Sequence, residues 1–144
     1  MFLCFVLQYV GDCCASLLPA SVVLSSGVLP LLRPLLIHSA ASVRRAACSV
    51  LTVCGGQPQC VFHAAIVAAD LWAPLLCGLT DESDEVREQS LRAVRNLVQR
   101  SAPTAALLLP WLPQISKQRL ELHRNRARRA LQLRAAHGAT GGSR

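Results

Sequence analysis

Aromatic side chains are scarce in this 144-residue sequence: three Phe, two Trp and one Tyr, 4% of the chain. A β-sandwich draws on Tyr, Phe, Trp, Ile and Thr for its faces, so the shortage argues against one. Charge is sparse as well. Only 16% of residues are Asp, Glu, Lys or Arg while 52% are apolar, which excludes a chain disordered throughout. The apolar mass is mainly Leu, Val and Ala, and the length suits one ordinary domain with a usable core. The expectation is an all-α protein.

Long apolar runs are interrupted. Residues 13–32 and 46–69 lack formal charge but are broken by Pro, Gly, Ser or Gln, as at Gly55-Gly56-Gln57-Pro58-Gln59. A spanning helix needs about 20 predominantly apolar residues, so no membrane span is expected. Residues 1–10 are apolar without a basic start, which speaks against a secretory signal. Paired cysteine motifs are missing too. Seven Cys, an odd number, occur at 4, 13, 14, 48, 54, 60 and 77 with no Cys-x-x-Cys. Among Ala, Val and Leu they read as small buried hydrophobes in a reducing compartment, not as a disulfide framework.

Catalytic groupings are equally absent. The four His, at 38, 63, 123 and 137, form no His-Glu-x-x-His, and no Gly-rich loop leads into Lys-Ser/Thr. Cys54, Cys60 and His63 are three loosely spaced ligand types without a second pair, so buried thiols explain them better than a metal. The acids cluster at residues 81–88, where helix capping accounts for them. The chain reads as a non-enzyme with no cofactor.

The net charge of +7 is unevenly placed. Residues 1–80 contribute +1, residues 81–100 contribute −1, and residues 101–144 contribute +7. The basic stretch holds Lys117, Arg119, Arg124, Arg126, Arg128, Arg129 and Arg134 around Leu120, Leu122, Leu131 and Leu133. Such a run attracts nucleic acid or an acidic protein, or simply closes the domain with a solvated face. No aromatic interleaves it, which weakens a base-stacking role.

Self-similarity is the strongest signal. Ser42-Val43-Arg44-Arg45-Ala46-Ala47 opens one helical pattern and Asp84-Glu85-Val86-Arg87-Glu88-Gln89 another, 43 residues on. Ala127-Arg128-Arg129-Ala130-Leu131 gives a degenerate third copy. Upstream of the first two lies an apolar helix end, a small-residue turn, and then Val28-Leu29-Pro30-Leu31-Leu32 or Trp72-Ala73-Pro74-Leu75-Leu76. After Ser83 or Asp84 as a cap, Val86, Ser90, Ala93, Val94, Leu97 and Val98 share one helix face, with Arg87, Glu88, Arg92, Arg95 and Gln99 opposite. Ser42 is expected to cap Val43, Ala46, Ala47, Val50, Leu51 and Cys54, with Gly55-Gly56 ending that helix. Trp72 and Trp111 sit in Pro-flanked apolar segments and are expected in inter-helix packing. Intervals of about 40–47 residues are those of HEAT and armadillo units.

Gly27-Val28-Leu29-Pro30, Ser42-Val43-Arg44-Arg45-Ala46-Ala47-Cys48 and Gly55-Gly56-Gln57-Pro58-Gln59 together resemble an armadillo repeat of the importin-α or axonemal type. Phe5-Val6-Leu7-Gln8-Tyr9-Val10-Gly11-Asp12 resembles the third helix of a preceding repeat. The resemblance covers roughly residues 5–110. It implies a right-handed superhelical armadillo/HEAT-like solenoid of about three repeats. The units are a partial repeat at 1–26, repeats at 27–69 and 70–112, a degenerate basic helical segment at 113–136 and a flexible tail at 137–144.

In that family the third helices line a groove for extended peptides or partner helices. Importin-α repeats grip nuclear-localisation peptides with a Trp and, four residues later, an Asn. The corresponding residues here are Ser49 and Val53, then Arg92 and Asn96, so only Asn96 is kept. The expected contact set is Arg45, Ser49, Glu88, Arg92, Arg95, Asn96 and Gln99. Its arginines suit a protein or peptide partner with acidic stretches. The expected function is a non-catalytic protein–protein scaffold of the cytoplasm or nucleus, with a cilium compatible. The alternatives are an importin-α-like transport adaptor and a nucleic-acid-associated factor using the basic C-terminal helix. Phe2, Leu3, Phe5, Val6 and Leu7 form no polar cap, so this end is expected to dock on another chain.

Overall fold

A computed structural model describes the backbone of residues 2–16, 20–57, 61–100 and 102–140. Side chains within these stretches are described except at 12–16, 20, 21, 23, 61, 100, 102, 103 and 134–140. The described residues are helical, with no strand among them. Helix α1 (Phe2–Ser16) leads into a short α2 (Ala20–Ser25), α3 (Val28–Leu36) and a longer α4 (Ala41–Gly56). The same order follows in α5 (Val61–Ala68), α6 (Trp72–Cys77) with a 3-10 turn at Gly78–Thr80, and α7 (Asp84–Arg100). Then come α8 (Ala102–Leu108), a 3-10 turn at Leu109–Trp111 and α9 (Leu112–Thr140).

The order short helix, turn, helix, longer helix runs through α2–α3–α4 and again through α5–α6–α7. Local chemistry recurs with them. Gly27 joins α2 to α3 with φ +71°, and Asp70, 43 residues later, joins α5 to α6 with φ +52°. Only glycine enters this left-handed region freely, and Asp tolerates it better than most residues. Pro30, Pro74 and Pro113 each lie in the first turn of the next helix, where the missing N–H has no helical acceptor to lose.

One continuous core joins these elements. Leu29, Leu32 and Leu36 of α3 meet Val43, Val50, Leu51 and Cys54 of α4, and Trp72, Leu75 and Leu76 of α6 meet Val86, Ala93, Val94 and Leu97 of α7. Val43, Val50, Leu51 and Cys54 are the 43-residue counterparts of Val86, Ala93, Val94 and Leu97, and all eight are buried. Trp72 donates its indole N–H to the Leu107 carbonyl at 3.3 Å, tying α6 to α8, and Trp111 packs half-buried on the core.

Four details differ from the sequence reading. Ser42 does not cap α4: the helix starts one residue earlier, at Ala41, and no side chain caps it. Instead Arg44 donates to the His38 and Ser39 carbonyls at 2.7 and 2.8 Å, and the His38 imidazole accepts the Ala40 N–H. Arg87, expected on the solvent face, is half-buried because it makes the matching bonds, to the Asp81 and Glu82 carbonyls. Cys77 is exposed, unlike buried Cys48 and Cys54; Cys13, Cys14 and Cys60 lie outside the described side chains. The degenerate third copy has no corner: α9 runs unbroken through residues 113–136 to Thr140, since no Gly or Pro stands between Gln114 and His137. Of the expected tail, residues 141–144 lie outside the described residues.

Among the described residues, no single helix is long and apolar enough to cross a membrane.

Candidate interaction face

Helices α1, α4 and α7 lie side by side, with α4 in contact with both neighbours. They run parallel. Arg45 meets Glu85 near the two N-terminal ends, while Gly55 meets Leu97 near the C-terminal ends. On the other flank, Gly11 faces Val50. A Cβ on Gly55 would come within 3.0–3.1 Å of the Leu97 side chain, so glycine permits this close approach. Flanked on two sides and backed by α3, α4 leaves little surface to solvent: Ser42, Arg45 and half-buried Ser49. The same i, i+3, i+7 stripe is exposed in α1 as Phe2, Phe5 and Tyr9, and in α7 as Glu85, Glu88 and Arg92. The exposed rows carry aromatic side chains on α1, Ser and Arg on α4, and acid and Arg on α7.

The expected contact residues divide on this face. Arg45 pairs with Glu85 at 3.3 Å, and Arg92 with Glu88 at 2.6 Å, both in exposed positions where such pairs contribute little. Arg95 and Gln99 are exposed, and Arg95 takes part in no ion pair among the described residues. Asn96 is turned between helices: its Nδ2 donates to the Thr52 carbonyl at 3.0 Å. That leaves this amide N–H engaged within the protein.

Behind the face, the corner before α7 is locked by charge. Arg44 Nε and Nη2 donate to the two Asp81 carboxylate oxygens at 2.7 and 2.8 Å, and the Ser83 N–H donates to the same carboxylate at 2.9 Å. Side-chain exposures of 17% and 11% place this bidentate pair largely out of water. Burial alone would raise the Asp81 carboxyl, but the Arg44 guanidinium and the Ser83 N–H outweigh it and hold the group below the usual carboxylate range. The same hydrogen bond to Asp81 raises Arg44. Deeper between α4 and α7, the Cys48 thiol lies 3.2 Å from the Ser90 hydroxyl, and burial pushes that thiol up.

The basic segment behaves differently from the rest. Every described side chain from His123 to Leu133 is exposed. Arg126 reaches Asp84 at 2.8 Å, whereas Lys117, Arg119, Arg124, Arg128 and Arg129 are in no ion pair among the described residues. Lys117, Arg124 and Arg128 fall at i, i+7 and i+11, one side of the helix; Arg119 and Arg126 lie on the other, toward α7.

Sequence reasoning missed two features. Phe5 and Tyr9 are exposed on α1, within the stretch that resembles a third helix, yet lay outside the expected contact set. The Arg44–Asp81 link joins residues 37 apart, and only the recurrence of Val43-Arg44 as Val86-Arg87 hinted that these arginines were special. No group of three or more His, Cys, Asp or Glu among the described residues is placed to hold a metal ion. Compared with known families, curated proteins and solved structures, the chain matches none.

Proposed function

We propose that the chain is a short armadillo- or HEAT-like solenoid, a right-handed superhelical stack serving as a non-catalytic protein–protein scaffold of the cytoplasm or nucleus. On this reading α1 belongs to a first layer, α2–α4 and α5–α7 form two full layers, and α8–α9 form a degenerate last one. One observation carries it: residues 43 apart do the same physical job. Arg44 and Arg87 each hold the two carbonyls at the corner before their own helix, and Gly27 and Asp70 make the same left-handed turn. Stacked layers of this kind bury each other's apolar sides and leave one long face open.

The partner is a peptide or helix laid across the exposed rows of α1, α4 and α7. Its acidic stretch lies over Arg95 and the Arg92–Glu88 pair, and an apolar anchor lies over Phe5 and Tyr9. A lysine-rich cargo peptide is disfavoured, because no Trp row exists and Asn96 commits an amide N–H to Thr52. Selection of binders from a displayed library of linear peptides tests this. Binders rich in acidic residues that lose affinity at least tenfold, about 1.4 kcal/mol, on both Arg95→Glu and Phe5→Glu are expected. Binders indifferent to both substitutions overturn the reading.

A second reading rests on the solvent-facing row Lys117, Arg124 and Arg128 of α9, which suits nucleic-acid phosphates. Titration with a DNA duplex then gives a log–log salt slope of roughly −0.9 per phosphate contact, so about −3 if all three engage. A slope near zero removes it.

A further inference from the structure

The face of α7 turned away from α4 is not closed. Between α7 and α9 runs a groove of about 500 Å3, apolar along Leu79, Leu91, Val94, Leu108, Ile115 and Leu122, with Leu91 still 59% exposed. It follows α7 from Asp84 to Val94 and α9 from Leu112 to Arg126, a length of about three helical turns. At the other end of the molecule, α1 packs on α4 with one side and leaves the opposite side uncovered. The α7 residues Glu85 and Gln89, which face α4, correspond 83 positions earlier to Phe2 and Val6, 84% and 41% exposed. No charged residue occurs from Phe2 to Gly11.

We infer that the α7–α9 groove receives α1 of a second copy of this chain, so that molecules stack head to tail. The packing repeats one already present twice inside each chain, α1 on α4 and α4 on α7. Leu91, 59% exposed at the groove, then meets the exposed Leu3 and Val6 of α1, while Leu7 stays in its own core. Apolar side chains meet apolar groove. The distal half of α9 is the poorer occupant: Arg126 is already held at the rim by Asp84, and Arg124, Arg128 and Arg129 would bring charge onto an apolar floor. A head-to-tail contact is heterologous and does not stop at two copies unless the rotation closes a ring.

Sedimentation equilibrium of the full chain tests this, with Val6→Glu spoiling the α1 end and Leu91→Glu the groove. Both positions are solvent-accessible, and circular dichroism confirms that each variant folds. The wild type is expected to grow in mass beyond the dimer as concentration rises. Each variant alone is expected to weaken association at least tenfold. Their equimolar mixture is expected to recover a heterodimer and nothing larger, since each supplies the one intact end that the other lacks. A wild type monomeric at all concentrations overturns the inference and leaves the groove to distal α9 or to a foreign helix. A Leu91→Glu variant that associates as well as wild type overturns it in favour of α1 on α1. Phe5→Glu, which strikes the peptide face, is expected to leave self-association unchanged, so the two readings fail separately.

Discussion

Arg44 grips both oxygens of the Asp81 carboxylate across 37 residues of chain, and thereby pins the N-terminal end of α4 to the corner that launches α7. A pair so largely removed from water contributes through geometry, and removing one partner strands the other. Asp81→Asn is expected to lower unfolding free energy by about 2–3 kcal/mol at pH 7 in urea titrations. The folded-state carboxyl lies below its unfolded value, so its stabilisation is complete above roughly pH 4 and fades as pH falls through the depressed value. The gap between wild type and Asp81→Asn therefore narrows on acidification below about pH 4.

The left-handed turn at Asp70 sets a second expectation. Asp70→Gly relieves the backbone at the cost of unfolded-state entropy and stays within about 0.5 kcal/mol of wild type. Asp70→Val places a β-branched residue at φ +52° and loses about 1–2 kcal/mol. Its ion pair with Arg33 at 3.0 Å is exposed on both sides, so Arg33→Ala barely moves the thermal midpoint.

Gly78 abuts Ser90. A Cβ at Gly78 would fall 2.1 Å from the Ser90 hydroxyl and 3.1 Å from its Cβ, in a fully buried place. Gly78→Ala is expected to cost about 1–3 kcal/mol by overpacking. Adding Ser90→Ala removes the nearer clash, so the double variant recovers part of that loss; strict additivity in a double-mutant cycle refutes the contact.

The thiols differ in reach. Cys77 is exposed, whereas Cys48 and Cys54 are buried and burial pushes the Cys48 thiol up. Maleimide labelling read by mass spectrometry is expected to modify Cys77 in the native protein, and Cys48 and Cys54 only when denaturant opens the core.

Local periodicity made much of the fold legible. Val86, Ser90, Ala93, Val94 and Leu97 repeat at helical spacing and all are buried, whereas Gly55 and Gly56 lie inside α4 and Gln57 is its C-cap. Charge was read less well, because an arginine's partner is set by tertiary placement. Arg87 sits in the polar stripe of α7 by angle, yet its guanidinium folds back past the helix start onto the Asp81 and Glu82 carbonyls. Ser42 does not cap because α4 begins before it, at Ala41, which leaves Ser42 inside the first turn. Phe2 and Phe5 read as part of an uncapped end, and the packing of α1 on α4 shows which of its side chains stay exposed.

The unbroken course of α9 has a mechanical consequence. Its 29 residues rise about 43 Å at roughly 1.5 Å each, and the distal portion stands clear of the body as a semi-rigid rod. A load applied near Arg128 or Arg129 is transmitted as torque to the base of the rod beside Asp84, with no loose joint between to absorb it.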